Sequence, residues 1–263
     1  MHSRAHDRSI DRIDTRKNHR CYGMGLGIMI LDDIYPGFPG DVRNASGFPY
    51  PVQYEIVRNV DIEALVYKED KDACRQPILD AAKALETMGC RAVAAECGYF
   101  AWFQPDVAGY VDVPVFMSSL LQVPFIQQTI GPKKSVGILC AKLKQLSLEH
   151  LRRVGIDVDK SNFFINGAQD DYECKPFDTL WDPYVRPEKP YSHYSEAEAQ
   201  MVKIAADMKN KHPEMGALML ECTGMQPFAR AIQRAIDLPV YSWGTILDYA
   251  YGTSVHRDYY GHV

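Results

Sequence analysis

Gly89-Cys-Arg-Ala-Val-Ala-Ala-Glu96-Cys97-Gly98, followed by Asp112-Val-Pro114-Val-Phe, is repeated in outline by Gly216-Ala-Leu-Met-Leu-Glu221-Cys222-Thr223-Gly224, followed by Asp237-Leu-Pro239-Val-Tyr. In both copies the cysteine precedes the proline by 17 positions. A glycine-bearing apolar run stands upstream of each, Leu26-Gly-Ile-Met-Ile and Val136-Gly-Ile-Leu. The pattern reads as a diverged duplication that sets one Glu-Cys pair at the end of a buried strand in each half. Two facing thiols suit an enzyme that removes a proton from one face of a carbon and returns it to the other.

Working outward, continuous apolar runs occupy 25–31, 92–96, 113–116, 135–140, 163–166, 216–221 and 238–241. Runs with little alternation are expected where helices cover both faces of a parallel sheet. Helical patterns fall between them, at about 75–88, 99–109, 119–129, 143–154, 196–211, 227–236 and 245–251. The fold expected is α/β, two pseudo-symmetric doubly wound parallel-sheet domains. The first half spans 23–131 and is joined by the C-terminal segment 245–263; the second spans 132–244. Ser195-Glu-Ala-Glu198 has capping-box spacing, and Pro227 suits the first position of a helix. Residues 32–54, rich in proline and glycine, read as a long ordered loop. Residues 168–194 carry five tyrosine or tryptophan side chains and four prolines. They read as a cap over a pocket.

Composition narrows the class. The 263 residues are 46% hydrophobic and 24% charged, enough apolar material for a globular core. A net charge of −5 argues against nucleic acid as a partner, and no apolar run is long enough to span a membrane. The arm 1–22 places arginines at 4, 8, 12, 16 and 20 among aspartates. It has no apolar signal core, so a cytoplasmic location is expected, and the arm is either solvated or a subunit contact. A homo-oligomer, dimer or tetramer, is expected. The seven cysteines include no CxxC pair and read as free thiols. No phosphate-cradling loop or metal-ligand spacing is present, so neither metal nor cofactor is expected.

Cys97 and Cys222 each follow a strand and precede a helix, where backbone N–H groups favour a thiolate and can hold a carboxylate. Ser118 and Ser119 follow the next strand, and either cap the helix after it or donate to a substrate carboxylate. Ser242 has the same two readings in the second half. Asp32, at the exit of the first strand, is either a polar terminus or an acceptor for a substrate ammonium. Glu96 and Glu221 point away from the thiols by strand alternation and are expected to act indirectly or structurally.

Ala-Glu-Cys97-Gly-Tyr-Phe, Pro114-Val-Phe-Met-Ser-Ser-Leu-Leu-Gln, Val136-Gly-Ile-Leu and Leu220-Glu-Cys222-Thr-Gly-Met-Gln-Pro-Phe resemble the aspartate/glutamate racemase superfamily. Leu31-Asp-Asp, Pro39-Gly-Asp-Val and Phe48-Pro-Tyr-Pro-Val resemble its branch of algal dimethylsulfoniopropionate lyases. The resemblance runs from about residue 24 onward. It implies a site in the cleft between the halves, catalysis by Cys97 and Cys222 without cofactor, and a small carboxylate substrate. Gly98, Tyr99, Thr223 and Gly224 would contact that substrate along with Asp32, Ser118 and Ser119. Amino-acid racemases usually carry Asn-Thr where this chain has Gly98-Tyr99, which counts against aspartate or glutamate as the substrate. The leading expectation is a racemase or epimerase acting at a carbon α to a carboxylate. The alternatives are a dimethylsulfoniopropionate lyase, whose sulfonium would meet Tyr99, Phe100, Trp102 and Phe103, and a non-enzymatic carboxylate binder.

Overall fold

The computed structural model describes residues 12–16, 19–257 and 259. Arg4 and Arg8 of the arm and the last residues of the chain lie outside that set. Strands β1 (Leu26–Leu31), β2 (Val52–Val57), β3 (Val93–Ala95) and β4 (Val115–Phe116) form a parallel sheet ordered β2-β1-β3-β4. Strands β5 (Ser135–Cys140), β6 (Phe163–Gly167), β7 (Met215–Leu220) and β8 (Val240–Tyr241) repeat that order as β6-β5-β7-β8, again parallel. Each half thus has the doubly wound arrangement its apolar runs predict. The strand order reverses beside β1 and β5, which opens a crevice at the carboxyl ends of the central strands.

Eight α-helices connect them: α1 (Asp72–Met88), α2 (Gln104–Ala108), α3 (Val123–Ile130), α4 (Leu148–Arg153), α5 (Lys175–Trp181), α6 (Tyr194–Lys211), α7 (Ala229–Ile236) and α8 (Trp243–Ser254). Helix α1 buries Cys74, Ile78, Ala81, Ala82 and Leu85, a stripe at helical spacing. It stops at Gly89, whose φ of 108° is a left-handed conformation that a side chain would strain. One apolar core runs through both halves, from Met29 and Val93 to Ile138 and Leu218. Trp243, Ile246, Leu247 and Ala250 of α8 pack back on Leu26, Ile28, Ala92 and Ala94 of the first sheet.

Four local expectations need correction. The segment 32–54 contains the start of β2, an edge strand whose Val-Gln-Tyr-Glu-Ile-Val is only half-buried, so no continuous apolar run marked it. The segment 168–194 carries a helix of its own, α5. Helix α6 begins at Tyr194 with His193 before it, which places Ser195 inside the helix and leaves the capping box unformed. Pro227 sits within a 3-10 turn, Thr223–Phe228, and α7 starts after it at Ala229.

Candidate active site

Cys97 follows β3 and Cys222 follows β7, the same strand in each copy. Both have extended backbones (φ −134°, ψ 135° and φ −84°, ψ 138°) and both open a 3-10 turn, Gly98–Phe103 and Thr223–Phe228. The cysteines meet at a shared, enclosed cavity of about 30 Å³. A single water needs about 10–15 Å³ on this scale, so the closed form has room for about two waters. Leu31, Ile62, Val66 and Ala141 give the cavity an apolar floor. Tyr35, Tyr99, Phe177 and Trp181 supply aromatic walls, and Asp41, Thr223 and Gly224 its polar points. No lysine, arginine or histidine lines it.

Burial pushes both thiols well above the usual range, because a thiolate loses its hydration there. The Glu221 carboxyl pushes both further. The backbone N–H groups of Tyr99 and Gly224, each two residues beyond its cysteine, act in the opposite direction. Cys97 also feels the Arg43 cation, whereas Cys222 feels Asp41. Asp41 is itself raised to about 7, chiefly by burial, although the Arg43 backbone N–H opposes this.

Arg43 anchors the proline-rich loop to the strand ends. Its guanidinium grips Glu96 with two hydrogen bonds, Nη2 to Oε1 at 2.6 Å and Nε to Oε2 at 2.8 Å. It also donates to Asp33 O at 2.6 Å and Leu31 O at 3.2 Å and stacks 4.1 Å from the Tyr35 ring centroid. Fork-like pairing of this kind fixes direction as well as charge, and it sets Tyr35 and Asp41 against the cavity. On the far side, α5 lowers Phe177, Leu180 and Trp181 over the opening. Arg186 just beyond α5 pairs with Asp33 at 2.7 Å, and Asp182 accepts from Gln169 at 2.7 Å and Lys142 at 3.4 Å. The 168–194 segment is therefore the cavity's cover.

Cys97 and Cys222 come together as the paired motifs predict, and Tyr99, Thr223 and Gly224 join them as the resemblance implies. Other expected contacts do not. Asp32 is exposed and accepts the Asn59 N–H at a turn, too far round the strand end to line the cavity. Ser118 is fully buried and caps the next turn by accepting the Leu120 N–H. Ser119 donates to Leu220 O and Glu221 O, tying the halves together. Gly98 backs onto Glu221 and does not line the cavity. Phe100 and Phe103 are core residues, and Trp102 packs on His150 and Arg153. Besides Tyr99, the aromatic walls come from Tyr35, Phe177 and Trp181 in the two long segments that the sequence marks only by composition. Among the described residues, no cluster of three or more His, Cys, Asp or Glu side chains is arranged to hold a metal ion, and no helix is long and apolar enough to cross a membrane.

No family model matches the chain. Solved structures match its fold across most of its length. Unliganded arylmalonate decarboxylase aligns with a TM-score of 0.56 at 13% identity, over 90% of this chain and 94% of that one. An aspartate racemase homologue from Pyrococcus horikoshii OT3 aligns with a TM-score of 0.53 at 15% identity, over 87% and 99%. The paired parallel-sheet fold of this chain is the one these decarboxylase and racemase-homologue structures have. The dimethylsulfoniopropionate lyase of Durusdinium sp. clade D is 30% identical over 220 residues, 82% of this chain and 70% of that protein. The chain belongs to the dimethylsulfoniopropionate lyase family. It spans 46–64% of the length of four further members from Emiliania huxleyi, at 24–29% identity.

Proposed function

We propose that the enzyme cleaves dimethylsulfoniopropionate to dimethyl sulfide and acrylate by β-elimination. The observation that carries this reading is the cavity wall. Tyr35, Tyr99, Phe177 and Trp181 line it with aromatic rings, of which Tyr35 already carries the Arg43 guanidinium, and Asp41 offers a buried carboxyl. Such a lining suits a sulfonium cation. Binding it would favour the ionised form of Asp41, which stands near neutrality in the empty cavity. The substrate carboxylate would take the Thr223 hydroxyl and the N–H groups that open the two 3-10 turns.

In the proposed step a cysteine thiolate removes a proton from the carbon next to the carboxylate. The electron pair left on that carbon forms the C=C bond as the Cβ–S bond breaks. Dimethyl sulfide leaves with the pair from the broken bond, acrylate remains, and the enzyme holds the proton as a thiol. The sulfonium also helps create its own base. A cation at about 4 Å in surroundings of effective dielectric about 20 is worth about 4 kcal/mol, about a thousandfold in thiolate population. That offsets much of the burial which otherwise keeps both thiols protonated.

Headspace measurement of dimethyl sulfide tests the proposal. Purified enzyme should release it with an equal amount of acrylate, and no release above the alkaline background would overturn the reading. The matched settings of the two thiols favour a second reading, inversion at a carbon α to a carboxylate. Chiral analysis of a panel of amino and hydroxy acids would reveal it.

A further inference from the structure

Glu221 is the buried acid that the elimination does not use. It follows β7, is fully buried, and neither carboxyl oxygen completes a hydrogen bond. Its side chain crosses from the second half to the first and lies against the backbone of Gly98. A Cβ built at Gly98 would overlap the Glu221 carboxyl, with Cγ only 2.7 Å away. The carboxyl therefore fills the space that a side chain after the first cysteine would need, directly behind the turn that presents Cys97.

Its counterpart in the first half is Glu96, and the two backbones match. Their N–H groups donate to Met29 O at 3.0 Å and Leu139 O at 2.9 Å. Their side chains differ. Glu96 accepts the Leu31 N–H at 2.6 Å and both arms of Arg43. Glu221 has the corresponding Ala141 N–H as its only opposing influence, and no arginine. A lone carboxylate in such a site is costly, so the group keeps its proton.

We propose that Glu221 is a positioning residue for both thiols, one that must carry its proton for Cys97 or Cys222 to become a thiolate, so that its ionisation limits the enzyme on the alkaline side. This rests on the lyase reading for the reaction served, but not for the effect on the thiols. Four titratable groups feel the Glu221 charge: Cys97 and Tyr99 on the first turn, Cys140 on β5, and Cys222 beside it. For both catalytic cysteines it is the strongest single charge acting to keep the thiol protonated. Burial raises Glu221 to about 8, so the carboxyl is neutral where the cell works and charged just above. The groups that contact its own backbone carbonyl, Ser119 Oγ at 3.1 Å and Trp243 Nε1 at 2.8 Å, do not titrate in this range and hold the residue in place.

Carbamidomethylation of Cys97 by iodoacetamide, followed by mass spectrometry between pH 6 and 10, tests this without any substrate. Cys97 is the better reporter, because Asp41, which titrates near neutrality, bears on Cys222. In wild type the rate should climb with pH, flatten near pH 8 and climb again. In Glu221→Gln, which keeps the volume without the charge, the flattening should vanish, with alkylation about tenfold faster than wild type at pH 9. A wild-type rate that rises through pH 8 without a break overturns the proposal whether or not the variant folds. A folded Glu221→Gln that retains the break overturns it too. Absence of dimethyl sulfide would sink the lyase reading and leave this result standing.

Discussion

Cys97 and Cys222 share a backbone setting but not an electrical one. At Cys97 the Arg43 cation offsets part of the opposition from Glu221 and Glu96, while at Cys222 Glu221, Cys97 and Asp41 all oppose the thiolate. The proposed elimination needs one strong base, and the Arg43 cation is what would favour Cys97 for that part. Cys97→Ser is expected to lower kcat by about a thousandfold or more, Cys222→Ser by about ten- to a hundredfold, since serine keeps the volume but not the acidity. Equal losses would instead indicate one base on each face of the carbon, as inversion requires. The duplication makes Cys97 and Cys222 legible in the sequence, because each stands at a fixed distance from a strand end, whereas Tyr99, Thr223 and Gly224 enter only through the family resemblance. Asp32, Ser118 and Ser119 occupy similar places, yet Ser118 caps its own turn while Asp32 and Ser119 satisfy backbone groups distant in sequence, and the one-dimensional pattern of such a group and of a ligand is the same. Tyr35 and Asp41 have no local signature, for they reach the cavity only through the grip of Arg43 on Glu96.

At the scale of elements, α5 and the residues after it govern access. A cavity of about 30 Å³ is too small for an organic acid, so the cover must lift to admit one. Phe177, Leu180 and Trp181 pack it on the core, and two ion pairs fasten it besides, Arg186 to Asp33 at 2.7 Å and Lys142 to Asp182 at 3.4 Å. Segments held by a few such contacts open locally far more often than the core unfolds. Arg186→Gln should therefore speed chymotrypsin cleavage near Trp181 and Tyr184 several-fold while the melting temperature changes little. Cleavage at the wild-type rate would show that the ion pair does not fasten the cover. The aromatic content of 168–194 reveals the role of this segment but not its helix, because Lys175–Trp181 is only two turns long and starts at a proline. Strand β2 is missed for the opposite reason: on the sheet edge it keeps polar residues where a central strand has none.

Across the whole molecule, the repeated strand order makes a nearly two-fold frame around a site whose charged groups are not two-fold. Its cost appears in stability against pH. Glu221 titrates at about 8 in the folded enzyme and near 4.5 when unfolded. Between those values the unfolded chain has released a proton that the folded chain still holds, so this group erodes stability as pH rises from about 4.5 to 8 and no further beyond. Glu221→Gln removes the penalty. Urea unfolding should find the variant gaining on wild type across that window, by on the order of 4 kcal/mol at pH 8 as an upper bound. A gap that stays constant with pH would contradict it. The closed cavity has a bearing on hydrogen isotopes. Once the cover has settled again around bound substrate, the hydrogen taken from the substrate is expected to stay on its thiol and out of exchange with bulk solvent. Departure of neutral dimethyl sulfide then commits each turnover before the cover lifts. Substrate recovered part-way through a reaction in deuterium oxide should accordingly be almost unlabelled.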